Sequence, residues 1–531
     1  MARSSFRNRL NPSPHILTDL RTRAAYSEGA GVYRIVPAAV AIPATVDDVV
    51  TLVRSSERDG TPLVPRGAGS GMAGGNVGAG VVVDLSRAFT AINVDHVTRR
   101  ARTGAAVTWA ALTEAARVHG LRLPPDPSSG PFATAGGMVS TNAAGPRSVR
   151  YGSVRRWVEG IEVVGAGGEV RWIRREQGRG ERFTLSADEQ RLVAERFPKT
   201  RKNSSGYALD AFAASGDELD LWIGAEGTLG IVTAVEWKLD PVPPDRAAAA
   251  FGFRSLDTLR DAVPFLVALN PSAVELLDAT LLEFVAAAGH EIPAGLDCLL
   301  LVDFERETQA AARGVVGDAV RGLGHGAAFV ETAVDRAGLE ALWRVRALAS
   351  PSLARLPDSR RSLQVVEDGC VPLERLGEYV AGVRAAAQRN KVPVALFGHA
   401  GDGHVHVNAL PDLSQAGWEA RLEGLFGDVS DLVIRLGGTP SGEHGDGRLR
   451  AGLLERVVGA DVMALFRRLK NAYDPRGIFN PGVILPAAHW SPLAALKVGA
   501  AAAAIPDDVA ARLRDCERSA GWATPKTELA G

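Results

Sequence analysis

Short runs of β-branched residues alternate with amphipathic stretches and glycine-rich turns from residue 36 to about residue 239. The runs at 81–83 (VVV) and 161–164 (IEVV) have the composition of strands. Thr45 is followed three residues later by Asp48 and then by apolar residues, which predicts a capped amphipathic helix. We therefore expect short strands and short helices to alternate in the first half of the chain.

A proline-rich stretch at residues 240–244 (DPVPP) separates this half from a second one. Beyond it, longer helical patterns alternate with predicted strands at 299–302 and 392–396, without a repeat of solenoid period. A chain of 531 residues exceeds the size of one hydrophobic core. The pattern predicts mixed α and β structure, divided into an N-terminal arm (1–36), two domains (37–244 and 245–486) and a C-terminal tail (487–531).

The charge balance gives no reason to expect a polyanionic partner, because 60 lysines and arginines face 61 acidic residues. Nucleic acid is therefore not an expected partner. Three widely spaced cysteines, with no CxxC pair, argue against a disulfide framework and against a resident iron–sulfur cluster.

The sequence also indicates a location. No apolar run of signal-peptide length follows the basic N-terminus, MARSSFRNRLNPSPH. The alanine-rich stretch 494–504 is too short to span a bilayer and contains Lys497. We expect a cytoplasmic protein without a transmembrane segment, and contact at the periphery of the inner membrane is left open.

A glycine-rich loop at residues 65–75 (PRGAGSGMAGG) lies between two predicted strands, and five of its eleven residues are glycine. Glycine lets backbone N–H groups converge at positive φ, which builds an anion-binding nest. A mobile surface loop is the alternative for this segment taken alone. A dinucleotide fingerprint of the GxGxxG type opens a helix, whereas a strand is predicted here, which argues against a Rossmann domain.

Two further segments follow in order: 124–129 (PPDPSS) leading into 136–145 (GGMVSTNAAG), and 224–233 (GAEGTLGIVT). Together the three resemble the FAD-binding domain of the vanillyl-alcohol-oxidase, or PCMH, type. In that family the first loop wraps the pyrophosphate, and the other two line the ribityl chain and the flavin ring. The first loop holds no histidine, and Ser70 stands where covalent members carry one, so FAD is expected to bind non-covalently. The resemblance implies cofactor contacts from Pro65, Arg66, Gly67, Ala68, Gly69, Ser70, Gly71, Pro125, Asp126, Ser129, Gly136, Gly137, Ser140, Thr141, Asn142, Gly145, Glu226, Gly227, Gly230, Ile231 and Val232.

Residues 397–408 (FGHAGDGHVHVN) hold three of the ten histidines of the chain. Two glycines predict a turn, and a strand from Val405 onward places His406 and Asn408 on one face. His404 shares that face unless the turn reorients it. A hydrogen-bonded or exposed cluster is the usual outcome for such a segment alone. Residues 437–447 (GGTPSGEHGDG) add Glu443 beside His444, and two imidazoles plus a carboxylate suit a catalytic divalent cation.

These two segments, followed by Asp474-Pro475 and by 479–482 (FNPG), resemble the C-terminal domain of FAD-linked D-2-hydroxy-acid dehydrogenases, among them D-lactate, glycolate and D-2-hydroxyglutarate dehydrogenases. The resemblance covers about residues 36–486. It implies an α+β fold, in which a two-part PCMH-type FAD-binding domain precedes a cap domain of antiparallel sheet with covering helices. The implied roles are metal ligation by His399, His406 and Glu443, substrate contact by Asn408, proton abstraction by His444 and cofactor contact by Asn480.

Three departures from the family pattern affect the site. His404 stands where asparagine is usual, as an added ligand or a polar wall, and Val483 replaces a common lysine. The family arginine that holds the substrate carboxylate matches Arg346, with Ala347 after it where an acid is frequent. Arg344 is the competing candidate for that role.

The resemblance implies oxidation of a D-2-hydroxy acid to the 2-oxo acid, with Zn²⁺ or Mn²⁺ as the metal and hydride transfer to FAD. Electrons then pass to an external acceptor rather than to oxygen or NAD: an iron–sulfur subunit, an electron-transfer flavoprotein, a cytochrome or a quinone. Two alternatives remain, an enzyme similar to alkyl-dihydroxyacetone-phosphate synthase and a non-catalytic subunit of a glycolate-oxidase-type complex. A homodimer is left open.

Overall fold

The computed structural model describes residues 15–175, 180 and 182–531. Residues 1–14 of the predicted arm lie outside the described part. Helices and mostly antiparallel sheets combine in an α+β fold, as the sequence predicts. The strands are β1 His15–Leu17, β2 Ala39–Ile42, β3 Leu63–Arg66, β4 Val81–Asp84, β5 Ile92–Asp95, β6 Arg100–Gly104, β7 Leu121–Arg122, β8 Val158–Val164, β9 Val170–Arg174, β10 Ile231–Lys238, β11 Asp240–Pro241, β12 Asp245–Phe253, β13 Ala273–Asp278, β14 Cys298–Arg306, β15 Phe329–Ala333, β16 Gly369–Cys370, β17 Val394–Gly398 and β18 His404–Ala409.

Short 3-10 turns connect several of the α-helices. The helices are α1 Leu20–Ala25, α2 Val46–Asp59, α3 Trp109–Arg117, α4 Ala135–Thr141, α5 Ser148–Tyr151, α6 Ala187–Arg196, α7 Leu209–Ser215, α8 Leu219–Trp222, α9 Leu259–Ala268, α10 Ala279–Ala287, α11 Gln309–Leu323, α12 Arg336–Ala347, α13 Ala349–Ala354, α14 Leu376–Asn390, α15 Trp418–Arg435, α16 Leu454–Val458, α17 Ala460–Tyr473, α18 Asp507–Ser519 and α19 Lys526–Leu529.

The first sheet has the order β1-β2-β4-β3, and β2, β4 and β3 run parallel. Helix α2 begins with the predicted capping box, in which the Thr45 and Asp48 side chains each accept a backbone N–H. The glycine-rich loop leaves β3 and reaches β4 without a helix, which differs from a Rossmann domain, as predicted.

The second sheet is antiparallel, with the order β5-β6-β10-β8-β9. The strand predicted at 161–164 lies within β8. Its core gathers Ile161, Val235 and Trp237 with Phe466 and Tyr473 of α17. A helix from late in the chain thus packs against the sheet of the first half.

The third sheet has seven antiparallel strands in the order β15-β12-β14-β13-β17-β18-β16. The strand predicted at 299–302 lies within β14, and that predicted at 392–396 is observed two residues later as β17. Helices α9, α11, α14 and α15 contribute to the core on one face of the sheet, and α10, α12 and α13 contribute to the core on the other. Both faces are therefore covered, as expected for the cap domain.

The C-terminal tail packs against the first sheet. Helix α18 and the following segment share a core with α1, in which Tyr26, Val82, Leu513 and Trp522 are buried. Across the described residues, no helix is long and apolar enough to cross a membrane. Cys298, Cys370 and Cys516 are buried free thiols.

Candidate active site

One cavity of about 1970 Å³ is lined both by the glycine-rich loop and by His406 and His444. All three predicted FAD segments contribute to its wall, so the space and the backbone lining fit an extended dinucleotide. Of the predicted cofactor residues, Pro125, Asn142, Gly145, Ile231 and Asn480 are not part of this wall. The wall includes Pro65, Arg66, Gly67, Ala68, Gly69, Ser70, Gly71, Asp126, Ser129, Gly136, Gly137, Ser140, Thr141, Glu226, Gly227, Gly230 and Val232.

The glycines of the first loop serve two different purposes. Gly69 has φ 81° and Gly74 has φ 78°, which are conformations that favour glycine. Gly67 is required by space, since a Cβ there would lie 2.2 Å from Oγ1 of Thr134. The Arg66 side chain is 2% exposed and donates to the backbone oxygens of Tyr26 and Glu28. Its guanidinium therefore supports the loop.

Asn480 and Glu226 join the loops around the cavity. Asn480 Nδ2 donates to the carbonyl oxygens of Gly75 at 2.8 Å and of Glu226 at 2.9 Å. The Glu226 carboxylate accepts the backbone N–H groups of Asp446 at 2.8 Å and Gly447 at 3.0 Å. The predicted FAD-binding loops are thus connected directly to the segment that carries Glu443 and His444.

The two predicted metal-binding segments converge. His399 follows β17, whereas His406 lies on β18, which pairs with β17. Oε1 of Glu443 lies 3.1 Å from Nε2 of His399 and 3.4 Å from Nε2 of His406. When each imidazole carries its single proton on Nδ1, all three atoms are electron-pair donors, and a further proton or a cation must lie among them.

The Nδ1 atoms of His399 and His406 also have partners, and these contacts orient both imidazoles toward Glu443. His399 Nδ1 lies 2.7 Å from Oε1 of Glu275, and His406 Nδ1 donates to the carbonyl oxygen of Glu367 at 3.2 Å. A histidine that binds a metal usually places its other ring N–H on such an oxygen. The donor set and its supports therefore have the chemistry to hold a metal ion at His399, His406 and Glu443.

His404 has both ring nitrogens engaged. Nε2 donates to Oδ1 of Asp368 at 2.8 Å, and Nδ1 lies 3.4 Å from Nζ of Lys202. Burial, followed by the Lys202 and His406 charges, lowers the pKa of His404 to about 3, so its ring is neutral. Gly442 packs flat on this ring, since a Cβ there would lie 2.8 Å from its Cδ2 atom.

Lys202 is a buried part of the site that sequence reasoning missed. Nζ lies 2.8 Å from Oε2 of Glu443 and 3.7 Å from Oδ2 of Asp402. Burial lowers the pKa of Lys202, but Glu443 and Asp402 outweigh burial and raise it, so the side chain is an ammonium. Its partner Glu443 lies 241 residues away in the chain, and the local sequence RKNSSGY gives no sign of it.

His444 is held by a carboxylate that the sequence analysis did not assign. Nδ1 lies 2.7 Å from Oε2 of Glu367, whose Oε1 accepts from Arg450 at 2.6 Å. Burial opposes protonation of His444, but Glu367 and Asp368 outweigh it and raise the pKa to about 10. Adjacent acids after two valines (VVED) were the only available signal for Glu367 and Asp368.

Arg346 and Asn408 both reach the cavity wall. Arg346 donates through Nε to Oε2 of Glu275 at 2.6 Å, whereas Arg344 is exposed and does not contribute to the wall. Asn408 Oδ1 accepts from Ser362 at 3.2 Å. Its Nδ2 is buried and has no hydrogen-bond partner among the described residues, so a donor is available in the wall beside His406.

Comparisons with known proteins show which family this chain resembles. The family described as "FAD binding domain" matches residues 37–174, and "FAD linked oxidases, C-terminal domain" matches residues 242–484. Glycolate oxidase subunit GlcD of Bacillus subtilis is 30% identical over 87% of this chain and 92% of its own length. This chain belongs to the FAD-linked oxidase family.

Two other relatives of this FAD-linked oxidase are similarly close. D-lactate dehydrogenase of Archaeoglobus fulgidus is 30% identical over 83% of this chain and 90% of its own length. D-2-hydroxyglutarate dehydrogenase of Xanthomonas citri pv. viticola is 31% identical over 84% of this chain and 89% of its own length. Family membership makes the protein an FAD-binding oxidoreductase.

A solved structure supports the fold. Alkyldihydroxyacetonephosphate synthase superposes with a TM-score of 0.62 at 16% identity, covering 88% of this chain and 83% of the synthase. At this identity the likeness concerns the fold alone. It agrees with the predicted PCMH-type architecture.

Proposed function

We propose that this FAD-linked oxidase oxidises a D-2-hydroxy acid of the D-lactate, glycolate or D-2-hydroxyglutarate class to the 2-oxo acid. The observation that carries the proposal is the cavity wall, which contains the FAD segments, Arg346, Asn408 and His444 beside the His399–His406–Glu443 donor set. Relatives at 30–31% identity are named as enzymes of these acids. FAD accepts the hydride from Cα when it is bound.

The protein's own residues bind and orient the acid. Arg346 uses only Nε within the described protein, so its two terminal nitrogens are available for a carboxylate. Asn408 offers its unpaired Nδ2 to a second oxygen of the acid. Two fixed contacts determine which face of Cα is turned toward the cofactor segments.

His444 takes the hydroxyl proton at Nε2, because Glu367 engages Nδ1. In the cation-free protein burial is outweighed by Glu367 and Asp368, which raise the pKa of His444 to about 10, so the ring is charged at neutral pH and must lose its Nε2 proton before it can act as the base. A cation held by the neighbouring His399, His406 and Glu443 would lower this pKa, because like charges repel. His399, His406 and Glu443 would hold Zn²⁺, or Mn²⁺, which supplies a positive charge that lowers the pKa of a hydroxyl group.

FAD is proposed to be dissociable, since Ser70 occupies the loop position where a covalent histidine would stand. The electron acceptor is an external iron–sulfur subunit, electron-transfer flavoprotein, cytochrome or quinone. We propose a cytoplasmic location, because the three cysteines are free thiols.

Two alternative functions are less well supported. The proximity of His399, His406 and Glu443 weighs against a non-catalytic subunit. The relatives named for hydroxy acids weigh against a synthase.

An anaerobic panel of D- and L-2-hydroxy acids, followed by flavin absorbance, tests the proposal. We expect D-lactate, glycolate or D-2-hydroxyglutarate to bleach the flavin, with the D form of a chiral acid favoured over the L form. A yellow protein that no 2-hydroxy acid bleaches would contradict the proposed activity.

A further inference from the structure

Lys202 is fixed in place by its own backbone. Residues 203–206 dock along the loop that carries Glu443: the Ser204 N–H donates to the carbonyl oxygen of Ser441 at 2.9 Å, and the Gly206 N–H donates to Oδ2 of Asp446 at 2.6 Å. The backbone next to Lys202 is therefore fixed against the loop that carries Glu443, and the buried Lys202 side chain lies beside the carboxylate.

The two oxygens of Glu443 face different partners. Oε1 lies within 3.4 Å of Nε2 of both His399 and His406, whereas Oε2 lies 2.8 Å from the Lys202 ammonium. A free carboxylate can ligate a cation through one oxygen or through both. Here one oxygen is already taken by a buried positive charge.

We propose that Lys202 is a positioning residue that restricts Glu443 to one ligating oxygen and leaves a coordination position open for the substrate. This inference rests on the proposed cation site. The same ammonium places a like charge near the cation, so Lys202 lowers the affinity of the site for the metal alone. If Lys202 only supported the structure of the site, its removal would weaken Zn²⁺ binding instead of strengthening it.

The sign of the change in Zn²⁺ affinity therefore separates the two roles. Lys202→Met frees Oε2 and removes a neighbouring charge, so we expect the Zn²⁺ Kd to fall by about tenfold or more. Lys199→Met, on the exposed side chain three residues earlier, is the matched control and should leave the Kd unchanged. Lys202→Gln removes the charge but keeps a hydrogen-bond donor, so its Kd should also fall, by less than that of Lys202→Met, and it tests the sign of the change if Lys202→Met does not fold.

The experiment uses the full-length, FAD-loaded protein and competition with a chromophoric zinc chelator, with flavin absorbance and thermal melting as checks of folding. Tighter Zn²⁺ binding by a Lys202 variant supports the inference. Wild-type protein that binds Zn²⁺ while both Lys202 variants bind it equally or more weakly overturns the role of Lys202. Glu443→Gln is the control that should bind no Zn²⁺. If wild-type protein also binds no Zn²⁺, the proposed cation site itself is wrong.

Discussion

Nδ1 of His399 lies 2.7 Å from Oε1 of Glu275, a carboxylate 124 residues earlier in the chain. The other oxygen of Glu275 accepts from Nε of Arg346 at 2.6 Å. Burial raises the pKa of Glu275, but His399 and Arg346 outweigh burial and lower it to about 2. One buried carboxylate thus orients a proposed metal ligand and the proposed substrate arginine together.

Replacing Glu275 should therefore weaken both metal binding and substrate binding. In Glu275→Gln we expect the Zn²⁺ affinity to fall by about 10- to 100-fold, because one amide oxygen cannot replace the two carboxylate oxygens that hold His399 and Arg346. The KM for the hydroxy acid should rise in the same variant. Glu283→Gln, at an exposed position, is the control. A variant at position 275 with unchanged affinity for both ligands would show that the shared carboxylate has no such role.

The two arginines of α12 provide a matched pair. Arg346 reaches the cavity wall and Arg344 is exposed. Arg346→Ala should raise the KM by about 100-fold, since a charge-assisted contact to the substrate carboxylate is lost. Arg344→Ala should leave steady-state kinetics unchanged. The reverse result would transfer the carboxylate contact to Arg344, the competing candidate.

The raised pKa of His444 predicts a pH dependence of stability in the cation-free protein. A histidine whose folded pKa is about 10, against 6.5 in the unfolded chain, stabilises the fold fully below pH 6.5. That contribution is lost as the pH rises from 6.5 to about 10. Urea unfolding at several pH values in this window, with a chelator present, measures the loss. His444→Gln should flatten the pH dependence, and an equal slope in this variant would contradict the assignment.

The FGHAGDGHVHVN and SGEHGDG segments were predictable because glycines and ligand types lie close together in the chain, and the fold brings the two segments together as expected. Glu275, Glu367 and Lys202 were not predictable, because each approaches from a distant segment. All six residues of β13 are buried, so no alternation marks Glu275 as unusual. The positions of these three residues beside the site depend on which distant segments pack together, and local sequence patterns do not specify this.

The contacts of the C-terminal tail (487–531) are a second feature that the sequence did not predict. Glu517 of α18 pairs with Lys497, with Arg361 and with Arg514. Burial raises the pKa of Glu517, but these three cations outweigh burial and lower it to about 2. Since Arg361 directly precedes Ser362, the hydrogen-bond partner of Asn408, the tail is connected to the wall of the active-site cavity.

We expect Glu517→Gln to lower the free energy of unfolding by roughly 3 kcal/mol, because the buried Lys497 loses its anion and the half-buried Arg361 and Arg514 lose a shared partner. Asp515→Asn, on the exposed side of the same helix, is the control and should change little. Chemical denaturation at neutral pH compares the two. Stability of wild-type protein that comes from Glu517 should be present above pH 4.5 and lost as the pH falls toward 2. Equal stability of the two variants would contradict a role for the Glu517 cluster.

The most direct test of a cation held beside FAD is anaerobic flavin reduction by a D-2-hydroxy acid, measured before and after removal of metal with a chelator. We expect chelated protein to keep its bound, oxidised FAD, to lose substrate-dependent bleaching by orders of magnitude, and to regain it when Zn²⁺ or Mn²⁺ is added. Bleaching at an unchanged rate in protein shown by elemental analysis to contain no divalent metal would contradict it.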